Sequence, residues 1–157
     1  MKSAALRLIE LETFISAPPE RCFDLSLSVD LHLCSAAETS ERVISGPTSG
    51  VLGLGDTVTW EGRHFGVRWR LTVRVTHYDR PRMFRDEMTD GPFRRLRHDH
   101  WFDEVDGGTR MTDAFEFTFL MPPLDALAAR HLRRFLQRRA ELIRRVAESD
   151  GWRQYLD

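Results

Sequence analysis

The sequence predicts an α+β fold in which a curved antiparallel β-sheet wraps around one long C-terminal α-helix, with two short helices after the first strand. Apolar and polar residues alternate over several stretches between residues 56 and 119, which is the period of half-buried strands. From residue 122 the apolar period becomes helical. A length of 157 residues is typical of one domain, so we expect a single domain over 1–157 with a core at about 6–148.

The N-terminal part predicts a strand followed by a broken helix. Residues 6–15 form the expected first strand, and Ser16 is a candidate N-cap for a helix whose first turn tolerates two prolines. The helical pattern is expected to break near Ser28 and to resume as a second short piece. A strand around residues 41–45 follows.

The clearest strand covers residues 65–75. Its apolar residues, which alternate with polar or small ones, are Phe65, Val67, Trp69, Leu71, Val73 and Val75. Residues 56–60 predict its partner strand, which brings Trp60 to the same face. Gly62-Arg63 is the expected hairpin turn between the two strands.

Three more strands complete the predicted sheet. Residues 82–89 and 93–104 are joined through Asp90-Gly91-Pro92, and Gly107-Gly108 leads into a last strand at 109–119. Because a curved sheet cannot touch one helix along its whole length, we expect a cavity between the sheet and the C-terminal helix.

The C-terminal helix is predicted over residues 122–149, with two prolines at its start. Its apolar stripe is Leu124, Leu127, Ala128, Leu132, Phe135, Leu142, Ile143 and Val146. Its arginines are favoured as a solvated face over a phosphate site, and they are Arg133, Arg134, Arg138, Arg139, Arg144 and Arg145.

Composition and charge exclude several classes of protein. A formal net charge of −1 gives no global field that would attract nucleic acid or an anionic membrane. No apolar run approaches the length of a membrane span, so we expect no stable membrane insertion. Cys22 and Cys34 lack metal or redox spacing and fit a reduced, cytoplasmic protein. The sequence leaves the oligomeric state open.

Two histidines one residue apart, His98 and His100, lie on the strand at 93–104. Their alternate set also contains Leu96 and Phe102, whereas the opposite set is mostly charged. The histidine side of the strand is therefore expected to face the interior.

On the last strand the apolar set includes an aspartate. Its members are Met111, Asp113, Phe115, Phe117 and Phe119. A turn of Asp106-Gly107 would place His100 directly opposite Asp113, and a turn of Gly107-Gly108 would place it one diagonal step away. In both registers the inner wall carries His98, His100 and Asp113.

Asp86 is a further candidate for this wall. If Phe84 faces inward, Asp86 does too, and a three-residue loop before the next strand would set Phe84 opposite His98. A two-residue loop would turn Arg85 and its alternate neighbours inward instead. We favour the first arrangement.

Four interpretations of the histidine cluster stay open: a purely structural network, a polar contact for a ligand, general acid–base catalysis, and metal binding. Two histidines at i and i+2 can share a metal, but no third ligand is evident and no cysteine is near, so we expect no metal and no cofactor. Burial lowers a histidine pKa and a nearby carboxylate raises it, so His98 and His100 should titrate differently. We expect His100 to be the more basic, because it lies nearer Asp113 in both registers.

Five motifs stand in order along the chain: ISAPPERCFDL, GLGDTVTW, FRDEMTDGPF, HDHWF and GGTRMTDAFEF. With the long helix they resemble the START-like superfamily, and most closely its bacterial polyketide cyclase/dehydrase and lipid-transport group, over residues 6–148. The resemblance implies a helix-grip fold that holds a hydrophobic ligand between sheet and helix. The iron-site pattern of the superfamily's oxygenases, His-x4-His plus a carboxylate, has no match here. Because the fold hosts several activities, the resemblance leaves the chemistry open.

We therefore expect binding or transport of a hydrophobic or aromatic small molecule in an internal cavity. The expected ligand-binding residues are Trp60, Phe65, Val67, Trp69, Leu71, Phe84, Asp86, His98, His100, Phe102, Asp113, Phe115 and Phe117. The alternative is a cyclase or dehydratase that uses His98 or His100 as base and Asp113 to orient it. A third possibility is an interaction domain whose cavity is closed.

Overall fold

A computed structural model describes residues 5–157. Its strands are β1 (Arg7–Ile15), β2 (Arg42–Ser45), β3 (Thr57–His64), β4 (Val67–Asp79), β5 (Met83–Asp90), β6 (Phe93–Val105) and β7 (Gly108–Phe119). Its α-helices are α1 (Pro19–Ser26), α2 (Val29–Ser35), α3 (Asp125–Ala147) and α4 (Arg153–Leu156). Among residues 5–157, no helix is long and apolar enough to cross a membrane.

The strands form one antiparallel sheet in the order β1-β7-β6-β5-β4-β3-β2. Strands β2 to β7 follow one another as a meander, and β1 returns to pair with β7 at the opposite edge. The two short helices after β1 and the long helix α3 complete the molecule. This arrangement confirms the predicted α+β, helix-grip fold.

Helix α3 packs on the sheet through two separate apolar groups. In the N-terminal half of the helix, Ala128 and Leu136 join the cluster around Phe117. Near its C-terminus, Ile143 and Ala147 join a second cluster that includes residues of α1. Both halves of the helix are thus packed against the sheet side of the molecule, and members of both clusters, such as Phe84 and Phe115, line the cavity.

The start of α1 differs from the prediction. The helix begins at Pro19 after an extended Pro18, without a side-chain cap, and the backbone N–H of Ser16 donates to Glu148 instead. A proline is tolerated at the first helical position because its missing N–H would have no partner there, and the backbone carbonyl of Pro18 accepts from the N–H of Arg21 at 3.1 Å. The predicted break near Ser28 is confirmed, because the Ser28 side chain caps α2 by accepting from the N–H of Leu31.

The β3–β4 hairpin turns at Phe65-Gly66, so the prediction of a Gly62-Arg63 turn is wrong. Phe65 and Gly66 have φ of 56° and 71°, the positive values that a two-residue hairpin loop of this type requires. Gly62 instead pairs with Trp69 inside the sheet. Phe65 continues the apolar alternation of β4, so the sequence pattern places it in the strand rather than in the turn.

The β6–β7 hairpin turns at Asp106-Gly107, with Val105 paired to Gly108. His100 therefore lies directly opposite Asp113, which confirms the first of the two expected registers. Asp-Gly is a strong two-residue turn signal, because the turn needs residues that tolerate positive φ.

The β5–β6 register is shifted by two residues from the prediction. Phe84 pairs with His100 rather than with His98, and Asp86 pairs with His98. Regular pairing ends at Glu87, so the connection is looser than a three-residue turn. A shift of two keeps every side chain on its expected face.

The predicted stripe of α3 is partly wrong. Leu124 and Leu127 are exposed, whereas Leu136 and Arg139 are buried. The small side chains of Ala128, Ala140 and Ala147 allow close approach to the sheet and to α1. The buried face of the helix therefore runs through these alanines rather than through Leu124 and Leu127. The assignment of Arg139 to the solvated face is corrected accordingly.

Candidate ligand cavity and its histidine clusters

A cavity of about 190 Å³ lies between the sheet and α3. One water molecule needs only about 10–15 Å³ on a comparable measure, so the space admits a small organic molecule. Most of the lining is apolar. The predicted wall residues that line it are Trp60, Phe65, Trp69, Leu71, Phe84, Asp86, His98, His100 and Phe115.

Four predicted wall residues do not line the cavity. Val67 begins β4 at the tip of a hairpin and is exposed. Phe102 and Phe117 face inward as predicted, but they lie in the packed clusters at the two ends of α3. Asp113 lies behind the two histidines and is only 1% exposed. Strand parity predicts the face of a residue, but it does not tell whether that face meets packed side chains or open space.

The histidine cluster is assembled from three adjacent strands. His98 and His100 come from β6, Asp113 from β7 and Asp86 from β5. His98 Nε2 donates to Asp113 Oδ1 at 2.9 Å. His100 Nδ1 lies 3.1 Å from the same oxygen, although it is not aligned for a hydrogen bond. The carboxylate of Asp113 thus contacts one nitrogen of each imidazole.

The other two ring nitrogens face Asp86. His100 Nε2 lies 3.5 Å from Asp86 Oδ2, and His98 Nδ1 lies 4.0 Å from Asp86 Oδ1. Asp86 is partly exposed, whereas both histidines are buried. The two imidazoles are therefore sandwiched between an inner and an outer carboxylate.

Ring contacts fix the imidazoles in place. His100 stacks on Phe84 with centroids 4.0 Å apart and an interplanar angle of 16°. The two imidazoles lie 3.7 Å apart, and His98 meets the edge of Phe115 at 5.1 Å. Because both rings are packed on two sides, their nitrogens point in fixed directions.

The two histidines have opposite pKa shifts. Burial lowers the pKa of His98, and the charge of the neighbouring His100 lowers it further. Burial also acts on His100, but its contacts with Asp113 and Asp86 outweigh burial and raise its pKa. Burial would raise the pKa of Asp113, yet His100 and His98 hold it well below its usual value. The pKa directions agree with the expectation that His100 is the more basic, and they favour a proton on His100 over one on His98. The expected reason is wrong, because His98 lies nearer Asp113, and His100 differs in its closer contact with Asp86.

Arg139 is a cavity residue that the sequence analysis missed. It projects from α3, donates from a terminal guanidinium nitrogen to the carbonyl oxygen of Ser26 at 2.7 Å, and lies 3.9 Å from Asp113 Oδ1. Its position follows Leu132 and Leu136 at helical spacing and precedes Ile143 by four residues. That spacing indicates that Arg139 lies on the buried face of the helix. The arginines around it in the sequence instead favour a charged, exposed face.

A second polar cluster on the cavity wall was also missed. Glu41 Oε2 lies 2.8 Å from His32 Nε2, and Glu41 Oε1 lies 3.4 Å from His64 Nε2. His64 Nδ1 is in turn 2.7 Å from His131 Nε2. Burial would raise the pKa of Glu41, but hydrogen bonds from His32 and His64 outweigh it and lower the pKa to about 2. His32 lies on α2, Glu41 just before β2, His64 on β3 and His131 on α3. Because the four segments are separate, their positions in the sequence have no shared pattern.

The site thus combines an apolar cavity with two polar clusters. The His98–Asp113 pair can hold a proton at a fixed nitrogen, and the nitrogens that face Asp86 can contact a hydroxyl or carbonyl group. The two histidines and Asp86 also have donor atoms of the kinds that bind transition metals.

Three solved structures are similar over nearly their whole length. The protein TTHA0849 from Thermus thermophilus has a TM-score of 0.67 at 19% identity, covering 94% of this chain and 98% of its own. Ara h 8.0201 has a TM-score of 0.68 at 14% identity, covering 91% and 98%. Major latex-like protein 151 from Panax ginseng has 0.65 at 13% identity, covering 90% and 97%. At these identities the likeness establishes the fold alone.

No curated protein matches the sequence closely enough to assign an activity. The sequence does match one family over residues 8–148, and that family is described as polyketide cyclase / dehydrase and lipid transport. The match covers β1 through α3, which includes both polar clusters and the cavity. The chain belongs to the polyketide cyclase/dehydrase and lipid transport family.

Proposed function

We propose that the protein binds a small, largely apolar molecule in the cavity between the sheet and α3. The observation that carries the proposal is the cavity itself, about 190 Å³ of space with a mostly apolar lining inside an otherwise packed fold. A packed interior rarely leaves space much larger than a water molecule, so a space of this size calls for an occupant. The family description, which includes lipid transport, supports the same proposal.

The ligand we infer carries a hydroxyl or carbonyl group at one end. His98 and His100 lie on the cavity wall, and Asp113 behind them fixes the directions of their rings. A ligand without a polar group would leave His98 Nδ1 and His100 Nε2, which face Asp86, without a ligand partner. An unpartnered buried polar group costs about 1–3 kcal/mol. The histidine cluster therefore selects for a polar end and sets its orientation.

Binding of an apolar dye tests the cavity. A dye such as 8-anilinonaphthalene-1-sulfonate should bind the native protein saturably, and Trp69→Arg should abolish binding because it places a charge on the apolar wall. Trp101→Arg is the matched control, since it makes the same change at a residue that is 43% exposed.

Two results would contradict the proposal: no saturable dye binding to native protein, or equal loss in both variants. Circular dichroism confirms that each variant remains folded. Native mass spectrometry of untreated protein, with extraction of any bound molecule, then identifies the natural ligand.

A cyclase or dehydratase activity is the second candidate, and the buried His98–Asp113 pair favours it. A histidine oriented by a carboxylate is a common general base, and this pair has a donor–acceptor distance of 2.9 Å. The extracted molecule separates the two functions. Incubated with fresh protein, it should return unchanged from a carrier, whereas a dehydratase would convert it to a product lighter by one water molecule.

A further inference from the structure

Three donor atoms converge at the histidine end of the cavity. One ligand atom each from Asp86, His98 and His100 lie within 4.8 Å of one another. The individual separations from Asp86 are 3.5 Å to His100 Nε2 and 4.0 Å to His98 Nδ1. Metal–nitrogen and metal–oxygen bonds of about 2.0–2.2 Å place neighbouring ligand atoms roughly 3–3.5 Å apart. The 3.5 Å and 4.0 Å separations from Asp86 are within about 1 Å of that spacing.

The opposite nitrogen of each histidine lies against Asp113, and that of His98 is hydrogen-bonded to it as in known metal sites. His98 Nε2 and His100 Nδ1 both contact Asp113 Oδ1, at 2.9 Å and 3.1 Å. Metal-binding histidines characteristically use their second nitrogen in this way, which fixes the ring and makes the ligating nitrogen a better donor. Asp113 therefore leaves His98 Nδ1 and His100 Nε2 as the nitrogens that face Asp86.

His100 provides an independent sign of a missing ligand. It is 1% exposed, and within residues 5–157 its Nε2 has no hydrogen-bond partner. Most buried polar atoms in proteins have a partner, and an unpartnered one costs about 1–3 kcal/mol. His100 Nδ1, 3.1 Å from Asp113 Oδ1, also lacks an aligned partner, and Nε2 is the nitrogen that faces Asp86.

We propose that Asp86, His98 and His100 bind a divalent transition-metal ion such as Zn²⁺ or Fe²⁺. Two imidazoles and one carboxylate suit metals of this class and are poor ligands for Mg²⁺ or Ca²⁺. The negative carboxylates of Asp86 and Asp113 balance the positive charge of the ion. Arg139, 3.9 Å from Asp113, adds a further positive charge. Three protein ligands leave coordination positions open, and these face the cavity because all three ligands line it.

The proposal revises the sequence expectation of no metal. That expectation rested on the lack of a third ligand, and the register of β5 against β6 supplies Asp86 opposite His98. Metal binding can be tested separately from the proposed binding of an apolar molecule, because it needs no organic ligand, although a metal would occupy the same His98 Nδ1 and His100 Nε2 atoms that are proposed to contact a polar end.

Titration with metal alone tests the site. Protein stripped with a chelator is titrated with Zn²⁺ by calorimetry and with Co²⁺ by visible absorption, which reports nitrogen and oxygen ligands. We expect one ion per chain. Asp86→Asn should weaken Zn²⁺ binding at least tenfold, and Asp113→Asn should weaken it about 10–100-fold, as expected for a residue that orients the ligands.

Two controls make the test specific. His77→Ala removes an exposed histidine and should leave the affinity unchanged. Asp103→Asn makes the same change as Asp86→Asn at an exposed aspartate of β6 and should also leave it unchanged. The proposal is overturned if native protein binds no Zn²⁺ at millimolar concentration, or if Asp86→Asn binds as native protein does. It is equally overturned if either control weakens binding as much as Asp86→Asn. Asp86→Asn is nearly isosteric at a partly exposed position, and circular dichroism verifies its fold. Since dye binding is measured separately, failure here leaves the proposed function standing.

Discussion

Asp113 determines the geometry of the histidine cluster. Its Oδ1 lies within 4 Å of His98, His100 and Arg139, which come from two elements on opposite sides of the cavity. A buried carboxylate is costly unless it is paired, and here the pairing also fixes the directions of two imidazole rings. One aspartate among phenylalanines on β7 thus explains why the inner wall can carry two histidines.

Glu41 gives a prediction about pH. Its pKa is lowered from the ordinary value of 4.5 to about 2, so its contribution to stability is present above pH 4.5 and is lost as the pH falls towards 2. Glu41→Gln should therefore reduce the free energy of unfolding at pH 7 by up to about 3 kcal/mol. The difference from native protein should shrink below pH 4.5.

Urea unfolding at pH 7 and at pH 3 measures this effect. Glu12→Gln, at an exposed position on β1, is the control and should change little at either pH. A Glu41→Gln deficit that stays the same at both pH values would show that the carboxylate charge does not stabilise the cluster.

At the scale of elements, the sequence predicted the facing of the strands better than their pairing. The alternation on β6 and β7 placed His98, His100 and Asp113 on one wall because strand parity depends only on local order. The turns were predicted where their chemistry was explicit, as at Asp106-Gly107. They were missed at Phe65-Gly66, where a phenylalanine adopts a conformation that is rare for its type.

Contacts between segments that are distant in the sequence could not be predicted from residue spacing. The cluster around Glu41 joins four separate segments, so no spacing could reveal it. Phe102 and Phe117 have the correct face but lie against packed side chains rather than the cavity. The burial of Arg139 depends on its partner carbonyl on α1, which the sequence of α3 does not contain.

The turn between β6 and β7 gives a prediction at this scale. Gly107 has φ of 83°, and among the described residues no atom lies within 4 Å of the position of an added Cβ. The cost of a side chain is therefore conformational rather than steric. Gly107→Val should destabilise the protein by about 1–2 kcal/mol, whereas Gly107→Asn should cost less because asparagine tolerates positive φ.

Thermal unfolding of the two variants measures the difference. Equal melting temperatures for Gly107→Val and Gly107→Asn would mean that the turn relaxes and that the register does not depend on it.

For the whole molecule, an occupied cavity predicts a change in stability on ligand removal. A molecule that binds only the folded state raises the free energy of unfolding by about 2.7 kcal/mol at one hundred times its Kd. Protein from which the bound molecule has been extracted should melt at a lower temperature, and the purified molecule should restore the original Tm. Trp69→Arg protein should show no such recovery, and a native Tm that is unaffected by extraction would contradict the prediction.

The pairing of β1 with β7 has a consequence for the time course of synthesis. Arg7 pairs with Phe117, so β1 has no neighbour in the sheet until the six strands that follow it have been made. Contacts so distant in sequence fold slowly, because the intervening loop must close first. Until then Ile9 on β1 lacks Phe115, the residue that it pairs with on β7. Asp113 arrives on the same late strand, so a nascent chain cannot assemble its histidine cluster before the sheet is complete.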